Sequence, residues 1–169
     1  MFKKILIANR GEIAVRIIRA CKELGIQSVA IHSDVDTDAM HVKLADESVC
    51  VGGALPNLSY LNIPNIMSAI NITGADAVHP GYGFLSENDK FAEILGKHEV
   101  KFIGPSSKSI LALGNKSNAL KIADEYNLPI LGNKDAKNIN DTNEALKIAN
   151  EIGMPIVIKA AYGGGGKGM

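Results

Sequence analysis

The strongest constraint on the fold is the alternation of apolar runs and one amphipathic stretch within residues 4–32. Residues 4–8 predict a buried strand that ends at a turn. Residues 12–24 carry apolar side chains at helical spacing, and Gly25 provides a helix stop. Residues 27–32 predict a second strand. A strand, a helix and a strand in this order predict a parallel sheet with a right-handed crossover.

The same alternation continues to about residue 103. Further strands are predicted at 48–51, 75–78 and 100–103, and further helices at 40–45, 63–73 and 86–95. Ser86 and Asp89 resemble a capping box at the start of the last of these helices. The pattern predicts an α/β fold, a Rossmann-like doubly wound parallel sheet. We assign residues 1–115 to this domain.

Residues 116–169 are expected to form a linker and the beginning of a second domain. They follow a helix predicted at 107–113. Their predicted elements are helices at 116–126 and from 141, a linker at 128–140 and a strand at 156–160. The last strand leads into a run of four glycines, Gly163, Gly164, Gly165 and Gly166.

Composition excludes some classes of protein. The net charge of zero argues against a nucleic-acid partner, which a basic excess would favour. No apolar stretch is long enough to cross a bilayer or to act as a signal peptide, so we expect a cytoplasmic protein without a membrane partner. Cys21 and Cys50 stand among apolar residues and are expected to be buried, reduced thiols, and no cysteine spacing suggests a metal site.

Residues 79–88 are the first candidate site. They follow a strand, so they should lie at the carboxyl edge of the sheet, where α/β folds bind ligands. Gly81 and Gly83 flank Tyr82, and Glu87 is a candidate carboxylate. The alternative is a rigid turn without a ligand. Residues 9–12 have one glycine where a dinucleotide site has three, so NAD binding is not expected.

The second candidate site is the glycine run that follows Lys159. Glycines let backbone N–H groups approach an anion, and lysine supplies positive charge. The spacing is not that of a Walker A motif. A contiguous glycine run suits a flap that folds over phosphates, although a flexible tail remains an alternative.

One face of the first predicted helix is charged. Glu12 with Arg16, and Arg19 with Glu23, stand four residues apart. Spacing alone favours a solvated face with weak ion pairs over a subunit interface.

Four segments occur in the order typical of one family, at 7–14, 79–88, 102–105 and 159–169. With them the sequence resembles the biotin carboxylases, most closely those of bacterial acetyl-CoA carboxylase, which serves fatty acid biosynthesis. The resemblance implies an ATP-grasp ligase that uses ATP, Mg²⁺ (or Mn²⁺) and bicarbonate to carboxylate biotin through carboxyphosphate. It also implies a biotin carboxyl carrier protein, a carboxyltransferase subunit and a second copy of the chain as partners.

The resemblance assigns roles to individual residues. Lys116 and Lys159 would contact ATP phosphates, and Met169 would lie near the adenine. Tyr82, Gly83 and Glu87 would border the biotin and bicarbonate. The glycines that would form the phosphate flap are Gly163, Gly164, Gly165 and Gly166. The helix with Arg16, Arg19 and Glu23 corresponds to a dimer-forming surface, which reverses the preference from spacing.

Three departures from the family accompany the resemblance, and one of them, Leu131-Gly132 where Pro-Gly is common, concerns only the stiffness of a loop. Asn115 stands where the family commonly has Asp, which affects the surroundings of Lys116. Family members also continue well past residue 169 and supply their metal ligands there. We therefore expect residues 1–169 to contain no catalytic residue or metal ligand, and to be inactive alone. The open alternatives are the module of a pyruvate or propionyl-CoA carboxylase, another ATP-grasp ligase, and a non-catalytic dimerisation module.

Overall fold

The computed structural model describes residues 1–129, 139 and 141–158, with the side chains of Lys116 and Ser117 excepted. The chain divides into two compact units, Met1–Ile110 and Leu111–Met169.

The first unit is built on a five-stranded sheet in the order β3-β2-β1-β4-β5, and every neighbouring pair of strands is parallel. The central strand β1 pairs with β2 on one side and with β4 on the other, so Ile7 lies opposite both Ala30 and His79. The strands are β1 (Lys4–Ile7), β2 (Gln27–Ser33), β3 (Glu47–Gly52), β4 (Ala77–His79) and β5 (Lys101–Phe102). The predicted doubly wound α/β fold is confirmed.

Helices connect the strands and make up most of the described part of the second unit. The first unit contains α1 (Gly11–Glu23), α2 (Met40–Leu44), α3 (Ile63–Thr73) and α4 (Asp89–Lys97), and the division between the units falls within α5 (Ser107–Gly114). The second unit contains α6 (Lys116–Glu125) and α7 (Thr142–Ile152). As predicted, α7 begins after Asp141, whose side chain accepts the Asn143 N–H, and it ends at Gly153.

Successive residues of β1 point to opposite faces of the sheet, and each face has its own apolar cluster. Leu6 belongs to the larger cluster with residues of α3 and α4, and Ile7 belongs to the smaller cluster with residues of α1. Both side chains are fully buried. Burying an aliphatic side chain of this size stabilises a fold by about 2 kcal/mol. The sheet is therefore a rigid platform for the loops at its edges.

Three details differ from the sequence prediction. Cys21 is buried as expected, but Cys50 is exposed because β3 is an edge strand with mostly exposed residues. The cap of α4 is Asn88, whose side chain accepts the Phe91 N–H, whereas Ser86 lies in a turn closed by its own N–H. Residues 156–158 of the predicted final strand have no regular structure, because a strand needs a pairing partner and the described residues provide none.

Candidate ligand site at the carboxyl edge of the sheet

The strand order determines where the candidate site lies on the sheet. The chain leaves β1 toward β2 on one side, while β4 lies on the other side of β1. This reversal is the position at which open α/β sheets bind ligands. Asn9 follows β1 there, and the loop of residues 80–88 follows β4.

Asn9 connects the two strand ends. Its side chain is buried, with 3% of its surface exposed. Its amide nitrogen Nδ2 donates to the carbonyls of Pro80 and Tyr82, at 2.8 and 2.7 Å. Its Oδ1 accepts the backbone N–H of Arg10 at 2.9 Å. Only this orientation of the amide satisfies both carbonyls and the N–H, so the hydrogen bonds fix it.

The loop backbone adopts a conformation that most residues avoid. Gly81 and Gly83 have φ of 64° and 65°, and Phe84 has φ of 39°. A non-glycine residue in this region persists only where its surroundings hold it. The Phe84 ring is stacked on Tyr60, with 5.2 Å between ring centroids and 15° between ring planes. The loop is therefore held by packing as well as by hydrogen bonds.

Tyr82 is presented at the surface of this loop. Its side chain is 58% exposed, and its hydroxyl donates to the Glu12 carboxylate. This hydrogen bond raises the pKa of Tyr82. Gly83 and Glu87 are also exposed, and Glu87 forms no ion pair or hydrogen bond within the described part of the chain. Tyr82, Gly83 and Glu87 thus lie exposed on one loop at the carboxyl edge of the sheet, where open α/β folds bind ligands.

His79 orients the start of the loop. Its Nδ1 accepts the Gly81 N–H at 3.0 Å, and burial lowers its pKa. Both features favour the neutral ring with the proton on Nε2. His79 is therefore a structural acceptor for the turn.

A buried carboxylate, Asp36, supports the same edge of the sheet. It accepts hydrogen bonds from the Arg10 guanidinium at 2.6 and 2.8 Å, from Tyr60 at 2.5 Å and from Ser33 at 3.1 Å. The Arg10 guanidinium holds the pKa of Asp36 well below its usual range, with Tyr60 and Ser33 acting in the same direction. Since Tyr60 also stacks on Phe84, this cluster fixes the ring that supports the loop.

Sequence reasoning did not identify Asn9, Asp36 or Tyr60 as part of this site. A signal was present for the first two, because polar residues directly after buried strands gather at the carboxyl edge of a parallel sheet. Tyr60 had no such signal, since it lies in the connection between β3 and α3.

The charged face of α1 is exposed, including Arg16, Arg19 and Glu23. The predicted ion pairs between residues four apart on this helix do not form, because Glu12 binds the Tyr82 hydroxyl and Arg19 does not approach Glu23. Arg16 and Arg19 line an open groove of about 560 Å³, together with Met40 and His41 of α2.

The candidate phosphate-binding residues are only partly described. Lys116 is the first residue of α6, and Asn115 caps this helix by accepting the Asn118 N–H at 3.0 Å. Asn and Asp are equally good helix caps, so Asn115 fulfils the local role of the expected carboxylate in starting α6. The residues that lie outside the described part are Lys159, Gly163, Gly164, Gly165, Gly166 and Met169.

Within the residues that the structure describes, no group of three or more His, Cys, Asp or Glu side chains could hold a metal ion. No helix in the described ranges is long and apolar enough to cross a membrane.

The parallel sheet, with helices on both faces and a held loop at its switch point, places the protein in the class of open, doubly wound α/β proteins. Family models give a finer assignment. Residues 1–110 match the biotin carboxylase N-terminal domain, and residues 106–169 match the ATP-binding domain of the carbamoyl-phosphate synthase L chain.

Individual relatives agree with the family models. The chain is 53% identical over 169 residues to a biotin carboxylase of Haemophilus influenzae, covering all of this chain and 38% of that protein. It is 55% identical over 168 residues to the human mitochondrial propionyl-CoA carboxylase alpha chain, covering 99% of this chain and 23% of that protein.

Solved structures show the same fold. A biotin carboxylase from Campylobacter jejuni in complex with β-γ-ATP matches with a TM-score of 0.90 and 47% identity, covering 98% of this chain and 37% of that one. The biotin carboxylase domain dimer of Hydrogenobacter thermophilus 2-oxoglutarate carboxylase, in complex with MgADP, ADP and bicarbonate, matches with a TM-score of 0.90 and 46% identity, covering 98% of this chain and 36% of that one.

The chain belongs to the biotin carboxylase family, since the N-terminal family model matches residues 1–110. It spans less than two fifths of the length of the relatives and structures that it matches here.

Proposed function

We propose that this chain is the N-terminal part of an ATP-dependent biotin carboxylase that acts in the cytoplasm. The observation that carries the proposal is the held loop of residues 79–88 at the switch point of the sheet, in a chain whose first 110 residues match the biotin carboxylase N-terminal domain. Residues 1–115 would form that domain, and residues 116–169 would begin the ATP-grasp domain.

The proposed reaction has two steps. An oxygen of bicarbonate attacks the γ-phosphorus of ATP, so that ADP leaves and carboxyphosphate forms. Carboxyphosphate then breaks into CO₂ and phosphate, the N1′ atom of biotin loses its proton to this phosphate, and N1′ attacks the CO₂. Such phosphoryl transfer depends on positioning and on neutralising charge. Mg²⁺ supplies charge neutralisation on the phosphates when bound, and we assign none of its ligands to the described residues.

Each candidate residue has a proposed part in this reaction. Tyr82, Gly83 and Glu87 border biotin and bicarbonate, and their shared loop at the ligand-binding edge supports this. Lys116 and Lys159 bind ATP phosphates, and Met169 lies near the adenine. The glycines proposed to close over the phosphates and exclude water are Gly163, Gly164, Gly165 and Gly166.

Two candidate enzymes carry out this reaction and differ in the molecule that finally accepts the carboxyl group. We propose a subunit of acetyl-CoA carboxylase that works with a biotin carboxyl carrier protein and a carboxyltransferase. The 55% identity to propionyl-CoA carboxylase alpha chains favours a second candidate of the same chemistry. Carboxylation assays of the purified native complex with acetyl-CoA and propionyl-CoA distinguish them.

An assay of the whole protein, including any sequence beyond residue 169, tests the proposed reaction. We expect bicarbonate-dependent cleavage of ATP that free biotin stimulates. The absence of stimulation would contradict the proposal. Residues 1–169 alone are expected to show neither turnover nor micromolar affinity for ATP, which calorimetric titration checks.

We also propose that α1 forms a homodimer interface through Arg16, Arg19 and Glu23. Their exposure and the open groove beside them support this, as does the dimer formed by the related 2-oxoglutarate carboxylase domain. Arg19→Glu should shift the whole protein toward monomer in sedimentation velocity, whereas Lys90→Glu on α4 should not.

A further inference from the structure

The loop that presents Tyr82 has few internal contacts that could fix its shape. Within the described structure of residues 79–84 the Gly81 N–H donates to His79 Nδ1, and the turn beyond is closed by the Ser86 N–H, which donates to the Gly83 carbonyl. The left-handed conformation of Phe84, a residue with a Cβ, adds to the cost of the loop conformation. The conformation of the Tyr82 segment must therefore be imposed from outside.

Asn9, which follows the end of β1, imposes the conformation of the Tyr82 segment. The two amide hydrogens of its buried side chain are used on the carbonyls on either side of Gly81. A Cβ added at Gly81 would lie 2.8 Å from Asn9 Nδ2, so the loop rests directly on the amide. The side chain thus acts as a template for the backbone of residues 80–82.

Glu12 holds the other end of Tyr82 by accepting its hydroxyl hydrogen. The backbone of Tyr82 is held by Asn9, its hydroxyl is held by Glu12, and the ring between them stays 58% exposed. An exposed aromatic ring fixed at both ends loses little further freedom when a ligand packs on it. Ordinary surface tyrosines are not held in this way.

We propose that Asn9 is a positioning residue for biotin, acting through the backbone of Tyr82. The inference rests on the proposed function, because it takes biotin as the ligand that packs on this loop. Asn9 itself touches no reacting atom. Its effect should appear in the KM for biotin and leave the KM for ATP unchanged.

The test uses Asn9→Asp in the whole protein. The substitution keeps the size of the side chain but turns the donor that faces two carbonyls into an acceptor. We expect the KM for free biotin to rise by about tenfold, while the KM for ATP stays within about twofold. An unchanged KM for biotin, or an equal rise for biotin and ATP, would overturn the inference.

A double-mutant cycle separates positioning from general stability. In a Tyr82→Ala background, Asn9→Asp should have no further effect on the KM for biotin, because the ring that Asn9 positions is already removed. Independent, multiplicative effects would contradict action through Tyr82. Circular dichroism checks that each variant folds.

Glu12→Ala gives a second route if Asn9→Asp does not fold, since Glu12 is exposed. It should raise the KM for biotin by about threefold, and this effect should also vanish with Tyr82→Ala. A Glu12→Ala protein with an unchanged KM for biotin would overturn the inference that Tyr82 must be held at its backbone and at its hydroxyl to bind biotin. If the unmodified protein shows no biotin-stimulated ATP cleavage, the proposed function fails and this inference with it. Normal stimulation with unaffected variants overturns the inference alone.

Discussion

At the scale of single residues, Asp36 shows how one buried carboxylate organises a loop. It accepts four hydrogen bonds, from Arg10, Ser33 and Tyr60. Asp36→Asn removes the charge that pairs with Arg10, so we expect the free energy of unfolding to fall by about 2 kcal/mol. Urea denaturation followed by circular dichroism measures this.

The matched control for Asp36 lies two residues away. The Asp38 side chain is 98% exposed and its nearest cation, Lys43, is 3.5 Å away. Asp38→Asn should change the free energy of unfolding by less than about 0.5 kcal/mol. Equal effects of the two substitutions would show that the buried hydrogen bonds add little.

His41 is a second buried residue with a measurable consequence. It is 1% exposed, its Nε2 lies 3.3 Å from the Ile31 carbonyl oxygen, and its Nδ1 has no partner among the described residues. Burial lowers the pKa of His41, so the unfolded chain binds the proton more readily than the folded chain. Its contribution to stability is thus fully present above about pH 6.5, and it is lost as the pH falls below that value.

We therefore expect the free energy of unfolding to decrease between pH 7.5 and pH 5. His79, whose pKa is also lowered by burial, adds to this decrease. His41→Gln keeps a donor for the Ile31 carbonyl but does not titrate, so its decrease should be smaller. The matched control is His98→Gln, at an exposed position. Identical pH profiles for His41→Gln and the unmodified chain would contradict the assignment.

At the scale of elements, the start of α4 depends on a cap that the sequence pattern placed two residues too early. Asn88 accepts the Phe91 N–H at 2.8 Å, whereas the Ser86 side chain makes no hydrogen bond in the described structure. Asn88→Ala should lower the free energy of unfolding by about 1 kcal/mol, and Ser86→Ala by less than about 0.5 kcal/mol. Urea denaturation of both variants checks the order, and a larger effect at Ser86 would contradict it.

The bounds of α3 were predicted from the sequence more closely than those of β4 and β5. The bounds of α3 agree with the prediction because its apolar spacing, Asn62 cap and Gly74 stop are all local. The strands β4 and β5 are shorter than their apolar runs, because strand ends depend on pairing with a neighbour that is distant in sequence. The same dependence explains Cys50, whose exposure follows from the edge position of β3.

At the scale of the whole molecule, the sequence identified the loop of the candidate site but not what holds it. Tyr82, Gly83 and Glu87 belong to one local segment with a readable pattern. Asn9 meets that segment only across 71 and 73 residues of chain, because the strand order places β1 beside β4. No spacing in the sequence encodes such a contact.

The distribution of buried apolar residues predicts an autonomous folding unit. Both apolar clusters lie within residues 5–110, and Ile110 of α5 belongs to the larger one. Residues 1–114, which keep α5 intact, should therefore fold alone, with the same urea midpoint for the sheet as in the 169-residue chain. Hydrogen exchange at the amides of Leu6, Ile7 and Val29 reports on the sheet directly.

A shorter chain of residues 1–100 is the matched control for this prediction. It lacks β5, and with it Phe102, whose ring packs edge-on against Phe91 at 6.2 Å, and it lacks Ile110. Loss of a buried phenylalanine costs about 3–5 kcal/mol, which is a large fraction of the stability of a domain of this size. We expect residues 1–100 to show little amide protection. Loss of protection in residues 1–114 as well would mean that the sheet requires the second unit to fold.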